Sequence, residues 1–172
     1  IEVTVGAEIS INNDFGIAIA SPPPTLSISA DASAQPEGAP GDTTTFFFTV
    51  TRTGDTSSSS SAIYTVEGSG SNPTDLQDFI GNSFPSGVVN FAAGEDTQII
   101  SIEVAGDSIL EQDETFSVTL TSPTNASISP SNASAIATIS NDDSPPQTSI
   151  LFEETFEDST TWGTKWALDP LT

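Results

Sequence analysis

From Ile1 to Ile11 every odd position is apolar: Ile1, Val3, Val5, Ala7, Ile9 and Ile11, with Glu2, Thr4, Gly6, Glu8 and Ser10 between them. A period of two belongs to a β-strand with one buried face, so this segment predicts a strand whose apolar side needs cover. Asn12-Asn13-Asp14 ends it, Ile17 to Ala20 is a short apolar run, and Ser21-Pro22-Pro23-Pro24 reads as a stiff, extended linker. From Thr25 a regular series begins. Leu26 to Ala30 alternates, and Thr43 to Thr53 places Phe46, Phe48 and Val50 on one face and Thr45, Phe47, Thr49 and Thr51 on the other. Further strands are predicted at Ala62–Val66, Val88–Phe91, Thr97–Val104, Phe116–Leu120 and Ala135–Ile139, and a single helical turn at Asp75–Phe79. Turn-rich segments separate the strands, and no stretch holds a helical period over 11 or more residues. The expected fold is all-β: a seven-stranded antiparallel immunoglobulin-like sandwich with extra strand segments at both ends.

An internal echo suggests the boundaries. Ile139-Ser140-Asn141-Asp142-Asp143-Ser144-Pro145-Pro146 closes the series, and Ile11-Asn12-Asn13-Asp14 followed by Ser21-Pro22-Pro23-Pro24 looks like an earlier copy of that close. Residues 1–20 are therefore read as a donor strand or the last strand of a preceding repeat. Residues 21–24 are linker, 25–143 the sandwich, and 144–172 a linker with a C-terminal β segment, either an assembly strand or the opening of a further domain. The chain begins at Ile1, which is expected of a processed product or a piece of something longer.

Charge narrows the function. Two Lys or Arg face 24 Asp or Glu, a net charge of −22 over 172 residues. Such a surface opposes nucleic acid and anionic membrane, whose phosphates need Lys and Arg, and no apolar run approaches the 18 residues or so of a membrane helix. A cation-rich exterior suits it better than a dilute interior. Without cysteine there is no disulfide or thiolate chemistry, and without histidine the usual zinc, copper and haem sites are disfavoured. Catalysis has little to work with: no His or Cys, one Lys, and nothing that frames any one pair of carboxylates, so the chain is read as non-enzymatic.

The densest chemistry lies at Asp107-Ser108-Ile109-Leu110-Glu111-Gln112-Asp113-Glu114, four carboxylates in eight residues, immediately before Phe116. Two carboxylates 4 Å apart repel by roughly 4 kcal/mol at an effective dielectric of about 20, so convergence of these groups calls for a cation. Oxygen ligands alone select a hard ion, calcium first. The EF-hand pattern does not fit, because Gln112 stands where its glycine belongs when counted from Asp107.

Taken together, Pro36-Glu37-Gly38, Asp78-Phe79 before Gly87-Val88-Val89-Asn90-Phe91, Ala93-Gly94-Glu95, Asp107-x3-Glu111-x-Asp113-Glu114-x-Phe116 and the terminal Ala137-Thr138-Ile139-Ser140-Asn141-Asp142-Asp143 resemble the Calx-beta domain family. The resemblance implies a sandwich with calcium sites at one end. Carried over by position, the ligand set is Asp31, Glu67, Asp107, Glu111, Asp142 and Asp143, with Glu114 a weaker member. Glu67-Gly68 where an Asp-Gly pair is common, and Asn141 where a third terminal aspartate would stand, imply fewer charges and weak, micromolar-to-millimolar binding.

The function expected is that of a calcium-stiffened structural module of an extracellular, bacterial surface, adhesion or matrix protein. Its partners are copies of itself or neighbouring domains of the same polypeptide. Donation of the strand bearing Ile1, Val3, Val5, Ala7, Ile9 and Ile11 to a neighbour would give a filament, since burying that face contributes on the order of 6–10 kcal/mol. The alternatives are a carbohydrate-binding accessory module using Trp162 and Trp166, or a calcium-sensing regulatory domain of a larger protein. Asn125-Ala126-Ser127 and Asn132-Ala133-Ser134 fit the glycosylation acceptor pattern.

Overall fold

The computed structural model describes residues 22–145, together with the backbone pairing of Ile9–Ile11 and Ile17–Ile19. Eleven strands run in order: β1 (Ile9–Ile11), β2 (Ile17–Ile19), β3 (Thr25–Ala30), β4 (Ala34–Pro36), β5 (Thr43–Thr53), β6 (Ser60–Ser69), β7 (Ser86–Phe91), β8 (Thr97–Ala105), β9 (Glu114–Thr124), β10 (Ser127–Ile128) and β11 (Ser134–Ser140). β1 and β2 pair antiparallel as a separate two-stranded sheet. The others form two sheets, β10-β3-β5-β8 and β4-β11-β9-β6-β7.

All seven strands expected from the alternation are present, and β4 and β10 are additions too short to show a period. Between β3 and β4 the chain changes sheet: β3 lies antiparallel to β5, whereas β4 lies parallel to β11. The expected helical turn at Asp75–Phe79 is instead a carboxylate-braced turn. The Asp75 backbone NH donates to Asp78 Oδ2 at 2.6 Å, and the Gln77 NH donates to Asp75 Oδ1 at 2.6 Å. Aspartate side chains that capture nearby backbone NH groups compete with helix formation in this way.

The two inner faces meet around Phe116. Its ring packs edge-on against Phe46 at 5.2 Å, Phe79 at 5.5 Å and Phe48 at 5.9 Å between centroids. Leu26, Ile28, Val50, Val66, Ile102, Val104 and Val118 fill the remainder of the core. Phe116 therefore joins both sheets to the loop that carries Phe79, one residue beyond Asp78.

At the opposite end Arg52 is 1% exposed, with its ring-facing carbon 5.2 Å from the Phe91 centroid. Its guanidinium donates to the carbonyls of Ser58 (2.7 Å), Ala92 (2.9 Å), Glu95 (2.8 Å) and Thr56 (3.3 Å) and to Ser60 Oγ (3.1 Å). These acceptors are neutral. The side chain ties the β5–β6 loop to the β7–β8 connection.

Phe116→Ala should lower the urea-unfolding free energy by about 3–5 kcal/mol, as expected when a buried aromatic leaves a cavity. Phe47→Ala, on the outer face, should change it by less than about 1 kcal/mol. Equal losses for the two would contradict this account of the core.

Candidate metal centre

The end of the sandwich remote from Arg52 is built by four chain segments. Glu37 directly follows β4, Asp75 and Asp78 lie on the β6–β7 connection, Asp107 to Asp113 lie on the β8–β9 connection with Glu114 opening β9, and Asn141 to Asp143 directly follow β11. Backbone contacts draw them together. Glu37 N donates to Ser140 O at 3.2 Å, Gly106 N to Asp42 O at 3.1 Å and Ala105 N to Asp78 O at 2.8 Å. Gly106 has to be glycine at this crossing, because a Cβ there would collide with the Gly38 and Ala39 carbonyls.

Two carboxylate triads result, Glu37–Asp107–Asp143 and Asp78–Glu111–Glu114, and in each one oxygen per residue lies within 4.8 Å of the others. At that separation each ionised pair repels by roughly 3–4 kcal/mol at an effective dielectric of about 20. Glu37 is 6% exposed, and its Oε1, like Asp143 Oδ2, is buried without a hydrogen-bond partner.

Protons relieve part of this strain. Burial, then the charge of Asp107, then Asp143 and Glu111, push the Glu37 carboxyl up to about 7. Burial and the adjacent Asp78 push Glu114 up to about 7. Asp78 and Glu111 are raised as well, first by burial; for Glu111 the charges of Asp78 and Asp107 add to it. Because Glu111 senses Asp107 and Asp143 while Glu37 senses Glu111, the triads form one electrostatic unit.

Of the ligand set read from the sequence, Asp107 and Asp143 meet in one triad and Glu111 enters the other. Asp142 is exposed beside them, its Oδ1 accepting the Gly38 NH at 3.3 Å. Asp31 and Glu67 lie outside both triads. Asp31 sits where the chain leaves β3: its NH donates to Phe47 O, four residues along β5 from Thr43 at the acidic end, on the order of 13 Å at strand rise. Its carboxylate accepts the Thr49 hydroxyl at 2.6 Å. Glu67 is on the solvent face of β6, opposite Ser117.

Glu37 and Asp78 enter the triads without having been read as ligands, although both stood in quoted motifs. Their signal was an acid fixed beside a conformationally special neighbour, Pro36 and Gly38 in one case and the buried Phe79 in the other. Asn141 braces the site: its Oδ1 accepts the Glu111 NH at 3.1 Å and its amide donates to Asp143 O at 3.2 Å. An ionised aspartate could not make the second bond. Asp113 also braces, accepting the Asn141 NH at 3.1 Å.

A mainly antiparallel, immunoglobulin-like sandwich with an acidic cluster on the loops of one end defines the class. The Calx-beta domain model matches residues 32–143, and the chain belongs to that family. Among solved structures, the apo-form Calx CBD1 domain is similar at 24% identity and a TM-score of 0.57, covering 70% of this chain and 99% of that one. CBD12 from CALX1.2 (24% identity, TM-score 0.56) and the calcium binding domain CBD12 of CALX1.1 (25%, 0.51) cover 69% and 67% of this chain. This chain spans 44% of each of those two. No curated protein matches it.

The raised carboxyls set a pH dependence in metal-free buffer. Glu37 and Glu114 titrate above their unfolded values, so their favourable contribution is complete below about pH 4.5 and is lost as pH rises through about 7. Melting temperature in chelator should therefore fall between pH 5 and pH 8, and Glu37→Gln should flatten that fall. A rising profile in chelator would contradict the geometry of the triads.

Proposed function

We propose that the acidic end binds calcium and that the bound ion stiffens a structural module. The observation that carries this reading is the buried Glu37 carboxylate, which has an oxygen without a partner and faces Asp107 and Asp143. Burying such a group is costly unless a charge or donor satisfies it. The donors available are oxygens alone, as a hard cation requires. Glu37, Asp107 and Asp143 would hold one ion, and Asp78, Glu111 and Glu114 a second. Asp142 supplies a nearby exposed carboxylate.

Bound calcium would replace the shared protons and convert mutual repulsion into a brace between β4, the two loops and the end of β11. Support for an extracellular, bacterial surface or matrix setting comes from composition: a net charge of −22 is best tolerated where dissolved cations are abundant. A calcium-sensing role within a larger polypeptide uses the same site, and the likeness to CBD12 structures favours it. Strand donation adds a second function to the module. Its support is that, among the described residues, β1 and β2 form a sheet of their own; a lone two-stranded sheet is marginal in water. Strand into neighbour is a contact between unlike surfaces, which repeats into an open fibre.

Calcium at about a hundred times its dissociation constant should add roughly 2.7 kcal/mol, raising the melting temperature by roughly 5–10 °C. The rise should be larger at pH 8 than at pH 5, because ligation displaces protons. Asp107→Asn with Glu37→Gln should remove the part of the rise that the first ion contributes, whereas Glu67→Gln should leave the rise intact. A melting temperature indifferent to millimolar calcium at pH 8 would refute the proposal.

A further inference from the structure

Nine large apolar side chains are exposed on the described surface, and four of them straddle one flank of the sandwich. Ile63 (40% exposed) and Val88 (56%) face each other across β6 and β7. Phe47 (48%) and Ile99 (53%) are diagonal neighbours across β5 and β8, since Thr49 opposes Ile99 and Phe47 opposes Ser101. β7 and β8 are the last strands of their respective sheets. Between them runs a groove of about 320 Å³ lined chiefly by Tyr64, Val88, Asn90, Gln98, Ile99 and Ser101. The opposite flank is different: there the chain crosses from β3 to β4, and β10 and β4 finish the sheets.

The edge of β8 already accepts one short backbone segment. Over Glu103–Ala105 it is paired by residues 78–80: Ile80 N donates to Glu103 O at 3.3 Å, Ala105 N to Asp78 O at 2.8 Å, and Phe79 bridges Val104. This cover stops short of Gln98–Ser101, the stretch that lines the groove. Open edges flanked by exposed β-branched residues are sites of strand addition, which natural sheets block with lysine, proline or bulges. None of these groove-lining residues is Lys or Pro.

Charge indicates the occupant. In a molecule with 24 acids the groove lining contains no ionisable carboxylate. A strand carrying Glu2 and Glu8 on one face and Ile1, Val3, Val5, Ala7, Ile9 and Ile11 on the other can approach it without the repulsion that would meet it at the acidic end. β1, the end of that segment, pairs with β2 and belongs to neither sheet of the sandwich. We propose that the β7–β8 flank is the acceptor for residues 1–11 of a second copy of this chain, added as a strand over Val88–Asn90 and Gln98–Ser101. This rests on the strand-donation reading and names its receiving surface.

The test uses the full chain, followed by sedimentation across a concentration series. Val88→Lys and Ile99→Lys, both at exposed positions, should each weaken self-association at least tenfold while leaving melting temperature and its calcium response unchanged. Deletion of residues 1–11 should abolish association. Because the chain has no cysteine, two single-cysteine variants, Thr4→Cys and Asn90→Cys, can be mixed under oxidising conditions. They should give a covalent dimer that the mixture of Thr4→Cys with Ser131→Cys does not. Association lost on the deletion but untouched by both lysine variants overturns the acceptor and leaves strand donation standing. A parent chain that stays monomeric throughout overturns strand donation, and the acceptor with it.

Discussion

The architecture turns on where the one cation among the described residues is placed. The chain has two cationic side chains, and Arg52 is the one within the sandwich. It is fully committed at one end, where neutral carbonyls of the β5–β6 and β7–β8 loops surround it. A guanidinium has five donors in a rigid fork, so one residue can close two loops at once. The consequence falls on the other end. Two carboxylate triads converge there with no Lys or Arg supplied by the sandwich, and protons on Glu37 and Glu114 provide relief only toward neutral pH and below. Neutralisation above that range has to come from solution. The fold itself keeps the acids together, because Phe116 holds Phe79 and both sheets in one aromatic cluster just beneath Asp78 and Glu114. Repulsion among the acids thus acts against a packed core and cannot relax by simple separation.

Alternation made the sandwich legible because its strands bury one face each. Thr43–Thr53 and Thr97–Val104 read correctly, including Phe47 on the outside. What alternation cannot show is a strand that changes sheet. Residues 25–36 cross from one layer to the other, and the crossing decides which acid reaches the loop end. Asp31 stays at the crossing, while Glu37, six residues on, arrives beside Asp107 and Asp143. Both are single acids near the first strand, and only the parallel pairing of β4 with β11 separates them. Side-chain competition with the backbone was equally hidden at Asp75–Asp78, where the spacing suited a helical turn and the carboxylates captured the NH groups instead. Asn141 shows the reverse case: an apparent missing ligand is a two-sided hydrogen-bond brace that fixes Glu111 and Asp143.

The site and the flank divide the molecule's surface by charge. At the acidic end, access is governed by cations, and an acidic strand is repelled until they bind. Along the β7–β8 flank the lining is neutral and its shoulders are apolar, so the association proposed there would be governed by backbone pairing and burial. The two proposed contacts could therefore be altered independently. On the proposed reading, calcium would change the rigidity of a unit, and a lysine on the flank would change its adhesion to the next. Among the described residues, Asp78–Ile80 joins the two regions, since it supplies a triad carboxylate and also covers the lower edge of β8.

The direction of the chain bears on the proposed stiffening. The described chain enters beside Arg52, where Pro22 O accepts the Asp55 NH at 2.8 Å, and leaves through Asn141–Asp143. Entry and exit therefore lie at opposite ends, the arrangement that transmits tension through the sandwich. The exit strand is also part of the site: Asp143 belongs to a triad, and Asp142 holds the Gly38 NH. A cation bound there would fasten the departing chain to β4 and to the β8–β9 loop, so a pull on that end would have to break metal–oxygen bonds before it could peel β11 away. With the same carboxylates ionised and no cation present, their repulsion would assist the peeling. The acids that cost the sandwich stability are thus placed where, on the proposed reading, a bound cation would fasten the departing chain to β4 and the β8–β9 loop.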